Sequence, residues 1–73
     1  MTRDELREQI VFQVEFGPGR RERTVFASVD IEASATVEDE ELIRSQGRIL
    51  ETVRNELAEQ IVDLVLGPKE TTP

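Results

Sequence analysis

The sequence predicts a small α+β protein: a two-layer ββα unit in which a long antiparallel β-hairpin packs on one long C-terminal amphipathic helix. Three observations point there. Apolar residues alternate with period two from Leu6 to Val37, they recur at helical spacing from Leu42 to Val65, and Gly17-Pro18-Gly19 interrupts the first stretch. A chain of 73 residues is read as one domain. The hairpin is placed over about 6–36, the helix over about 39–66 and a frayed tail over 68–73.

In the first strand, Leu6, Ile10, Phe12, Val14 and Phe16 share a face, and Val11 is an apolar exception on the other. The second puts Val25, Ala27, Val29, Ile31, Ala33, Ala35 and Val37 together, opposite Ser28, Asp30, Glu32 and Ser34, with Phe26 the exception. Pairing Phe16 with Val25, Val14 with Ala27, Phe12 with Val29 and Ile10 with Ile31 matches apolar to apolar along the ladder. A turn is expected near residues 19 to 22. A competing reading of the start comes from Thr2-x-x-Glu5, which fits a capping box and would make residues 2–8 a short helix.

Glu38, Asp39, Glu40 and Glu41 crowd negative charge where the dipole of the C-terminal helix favours it, and Gly67-Pro68 supplies a stop. Leu42, Ile43, Ile49, Leu50, Val53, Leu57, Ile61, Leu64 and Val65 form one stripe on that helix. Gly47 interrupts it at a cost of roughly 1 kcal/mol relative to Ala, the mark of a kink or a close backbone approach. Val62 and Leu66 fall off the stripe, so the helix end is apolar nearly all round.

That surplus, with two open hairpin edges and a thin core, predicts a homodimer or higher oligomer. The self-association residues are Leu57, Ile61, Val62, Val65 and Leu66. Burying Val62 and Leu66 would contribute roughly 1.5 to 3 kcal/mol per side chain before ordering costs. With no cysteine in the chain, disulfides cannot reinforce the fold.

The chemistry of a catalyst is missing. The chain has no His, Cys, Tyr or Trp, and Ser28, Ser34 and Ser45 have no evident activating partner. Glu56 with Glu59, and Glu38 to Glu41, are read as solvated helix acids and not as an acid–base pair. Successive carboxylates at Asp39-Glu40-Glu41 diverge on a helix, and Gly17-Pro18-Gly19 does not open a helix N-terminus. Neither metal, cofactor nor small-molecule substrate is expected, and the protein is read as non-enzymatic.

Arg20, Arg21 and Arg23 at the hairpin tip are the candidate contact for a partner. The formal charge of −7 argues for a protein or self-contact there over nucleic acid. The expected function is therefore a homo-oligomeric protein–protein interaction module with a structural, assembly or regulatory role, of the kind phages and mobile elements encode. Its partners are itself and, second, a basic protein surface. The first alternative is an acidic inhibitor or nucleic-acid mimic that binds a basic enzyme surface through Glu38 to Glu41, Glu51, Glu56, Glu59 and Asp63. The second is nucleic-acid binding through the arginine tip. The longest apolar runs are too short to span a bilayer, so no membrane partner is expected and the location is read as cytoplasmic, or virion-associated for a phage protein.

Overall fold

Thr2 begins the first helix, and its capping box is complete. In the computed structural model, which describes residues 1–17, 19 and 21–67, the Glu5 N–H donates to Thr2 Oγ1 at 3.1 Å and the Thr2 N–H to Glu5 Oε1 at 3.1 Å. Helix α1 spans Arg3–Gln9, strand β1 Val11–Phe16, strand β2 Glu22–Ser28, strand β3 Glu32–Glu38, helix α2 Asp39–Arg44 and helix α3 Arg48–Leu66. The α+β class holds: an antiparallel sheet in the order β1-β2-β3 packs against a long C-terminal helix. The expected frayed tail at 68–73 lies outside the described residues.

Besides the helix at the start, three details differ from the expected hairpin and single helix. Residues 25 to 37 are two strands, because the chain reverses at Val29-Asp30-Ile31, where the Val29 N–H donates to the Ile31 carbonyl at 2.9 Å. Ser28 and Glu32 pair across this loop and are four residues apart. Side chains therefore keep alternating through the loop as they would along one strand, and the period-two signal runs on unbroken.

The second difference is the register of β1 on β2. Phe16 lies opposite Arg23, Val14 opposite Val25 and Phe12 opposite Ala27, a slip of two from the expected ladder. An even slip keeps every side chain on its face, so hydrophobic patterning alone does not distinguish the two. The pair closing the loop does: the Gly17 N–H donates to the Glu22 carbonyl at 2.8 Å.

Third, the C-terminal helix is broken. Gln46 has φ of 56° and Gly47 φ of 84°. The Gly47 N–H reaches back to the Leu42 carbonyl at 2.9 Å and the Gln46 N–H to that of Ile43 at 3.1 Å, the bond pattern of a Schellman stop. Ser45 links the halves, since its Oγ accepts from the Ile49 N–H at 3.2 Å.

The core sits between α3, which lies across β2 and β3, and the sheet face bearing Val25, Ala27 and Val37. Val53, Leu57, Ala58, Ile61 and Val62 come from α3, and Leu6 and Ile10 from α1 and its cap. Leu6 is thus a helix residue and not part of the first strand. Helix α1 packs against α3 and runs opposite to it, with Arg3 bonded at the C-terminal end of α3 and Arg7 further back at Asn55 and Glu59.

Candidate interaction surface

Of the five residues predicted to mediate self-association, three are already spent on the chain's own core. Leu57 is 4% exposed, Ile61 0% and Val62 1%. Val62 is left unaccounted for when the first strand is taken to begin at Leu6. As a helix, α1 covers that side of α3, and Val62 lies beside Arg3, Asp4 and Arg7. A side chain with no accessible surface has nothing to bury against a partner.

The other two behave differently. Val65 and Leu66 are exposed, and Leu64, read as an ordinary stripe residue, is 68% exposed. At 100° per residue Leu64 projects between Val53 and Leu57, along the line that faces the sheet. Its exposure means that the last turn of α3 carries the apolar stripe beyond what the sheet covers.

A second opening lies along β1. Phe12, Val14 and Phe16 are paired with Ala27, Val25 and Arg23, so they stand on the face that α3 covers. Helix α3 sits over β2 and β3 instead of β1, leaving Val14 and Phe16 among the exposed large apolar side chains. The Arg23 guanidinium lies 4.0 Å from the centroid of the Phe16 ring and donates to Asp39 Oδ1 at 2.7 Å. The sequence held the signal for this surface in the even spacing of Phe12, Val14 and Phe16. It was missed because a two-stranded hairpin offered no reason for the helix to sit off-centre.

The three residues of the predicted arginine tip differ in their surroundings. Arg23 is engaged with Phe16 and Asp39, Arg21 is exposed, and Arg20 lies outside the described residues. The acids of the mimic reading are partly committed as well. Asp39 pairs with Arg23, Glu41 with Arg44, Asp63 with Arg3, and Glu59 with both Arg3 and Arg7.

Arg3 also donates to the Gly67 carbonyl at 3.0 Å, placing a cation at the negative end of α3. Its hydrogen bond to Asp63, opposed by desolvation and reinforced by Glu59, raises its pKa above the ordinary arginine value. A cation whose pKa rises on folding adds stability below its unfolded pKa and loses it only as pH climbs through the folded value. On the arginine side, the α1–α3 clamp is therefore constant through the neutral range.

A cleft of about 500 Å³ lined by Arg21, Glu22, Glu38, Asp39, Glu40 and the exposed Ile43 lies beside α2. Among the described residues no group of three or more His, Cys, Asp or Glu side chains is placed to hold a metal ion, and no helix is long and apolar enough to cross a membrane.

Comparison with family models, curated proteins and solved structures returned no match.

Proposed function

We propose that this chain is a self-associating protein–protein interaction module, a homo-oligomer whose role is structural, assembly or regulatory and not catalytic. The observation that carries the reading is the incomplete apolar layer between α3 and the sheet, which runs out to solvent at Phe16 (67% exposed) and Leu64 (68% exposed). Large apolar side chains in continuity with a core are the surfaces that protein partners bury. A second copy is favoured as the partner because self-association completes a thin layer symmetrically, with the same patch on each chain. The absence of His, Cys, Tyr and Trp supports a non-catalytic role.

Sedimentation velocity of the intact chain across a wide concentration range is the test. The reading expects twice the chain mass or more for the native protein, with dissociation promoted by Phe16→Glu or Leu64→Glu while the far-ultraviolet circular dichroism is kept. A native chain that stays monomeric at the highest concentration would overturn it.

A further inference from the structure

Resting on that reading of self-association, we propose that two copies join by antiparallel pairing of β1 with β1 across a twofold axis through Val14, making one continuous six-stranded sheet. The backbone geometry selects the edge. The Gly17 N–H points at β2 to reach the Glu22 carbonyl, and antiparallel strands alternate their backbone groups from side to side. Glu15, Gln13 and Val11 therefore pair inward with Thr24, Phe26 and Ser28, while Phe12, Val14 and Phe16 turn N–H and C=O to the outer edge. No other strand lies on that edge among the described residues.

The same alternation restricts the register. Only Phe12, Val14 and Phe16 offer outward groups within β1, so they must form the hydrogen-bonded pairs. Placing Val14 opposite Val14 of the second copy sets Phe12 opposite Phe16 in both directions, each pair exchanging both backbone bonds. Shifting the twofold to Gln13 brings in Ile10, whose N–H is already given to the Arg7 carbonyl at 3.3 Å and which is buried. Shifting it to Glu15 opposes two like charges.

With Val14 on the axis the second face is compatible too, since Glu15 meets Gln13. The side chains of Phe12, Val14 and Phe16 from both copies then form one apolar strip on the face carrying the two α3 helices, joining the Val14 and Phe16 side chains that stay exposed in one chain.

β3, the other edge, is a poor match for itself. Pairing it along its full length sets Glu32 opposite Glu38 at both ends, and α2 packs beside it. β1 carries only Glu15, so its charge pattern fits a second copy of β1 better than a copy of β3.

The chain has no cysteine, so one introduced thiol reports the register. Hydrogen-bonded antiparallel partners lie about 5.5 Å apart at Cα, within disulfide reach, whereas diagonal neighbours at about 7 to 8 Å fall outside it. Val14→Cys is expected to oxidise to a covalent dimer for most of the protein, and Gln13→Cys for little of it. As a second variant, Val14→Pro removes only an outward N–H, which edge strands tolerate, and is expected to weaken dimerisation at least tenfold while the chain stays folded. Preferential cross-linking at Gln13 would overturn the register. A native dimer that neither cross-links at Val14 nor responds to Val14→Pro would overturn edge pairing while leaving self-association standing. A native monomer would overturn both.

Discussion

Replacing Val62 by Ala tests whether the end of α3 is closed by its own chain. The side chain is 1% exposed and sits under α1. Removing two methyl-sized groups forfeits about 0.8 kcal/mol each in transfer, and the unfilled space raises the total to about 2 to 3 kcal/mol. A domain of 73 residues has about 4 to 11 kcal/mol in all at typical values per residue, so the loss is a large fraction. Leu64→Ala is the control two residues away. Its side chain is 68% exposed, and its removal should change the stability of a single chain by no more than about 0.5 kcal/mol. Urea denaturation followed by far-ultraviolet circular dichroism at two protein concentrations a hundredfold apart gives both numbers. The cost of Val62→Ala should be the same at each concentration, because the contact is made within the chain. If it falls within about 0.5 kcal/mol of the native protein, or is felt only at high concentration, α1 does not cover Val62 as described.

Other substitutions probe the joints of the fold. Gly47→Ala meets no atom within 4 Å of the added carbon, so its cost is backbone strain at φ of 84°, about 1 to 2 kcal/mol in the same denaturation assay. Ser45→Ala removes the acceptor for the Ile49 N–H and should cost about 1 kcal/mol, with faster exchange of the Ile49 amide. Arg3→Gln severs contacts to Asp63, Glu59 and the Gly67 carbonyl. It should lower the thermal midpoint, and the deficit should shrink in high salt because partly exposed ion pairs are screened.

The parts of the fold that were legible are those where one physical signal has one cause. Period-two alternation placed β1 and the apolar faces of β2 and β3, and the stripe from Val53 to Ile61 placed α3 on the sheet. What stayed hidden were features the side-chain pattern leaves unchanged. The paired neighbours of the loop at Val29-Asp30-Ile31, Ser28 and Glu32, are four residues apart, an even separation that preserves alternation, and no Gly or Pro marks the loop. The only warning was length: thirteen alternating residues exceed an ordinary strand of about five or six.

Helix α1 was written in Thr2 and Glu5, but Leu6 and Ile10 fit a strand face equally well at an even spacing. That one ambiguity carried through to the candidate site. With the first strand begun at Leu6, Val62 has no cover and is assigned to a partner. With α1 as helix, Val62 is core, and the uncovered surface moves to Leu64 and to β1. The break at Gly47 was half legible, since glycine inside a helical stripe announces a departure, whereas the positive φ at Gln46 has no sequence marker.

The most direct measurement is amide hydrogen exchange along β1, residue by residue, at low and high protein concentration. Within one chain the N–H groups of Gln13 and Glu15 point into the sheet, and those of Phe12, Val14 and Phe16 point out of it. Edge pairing predicts that the first set is protected at every concentration and that the second becomes protected as the chain associates, with Val14 at the centre. Fast exchange at Phe12, Val14 and Phe16 in a sample already shown to be dimeric would contradict it.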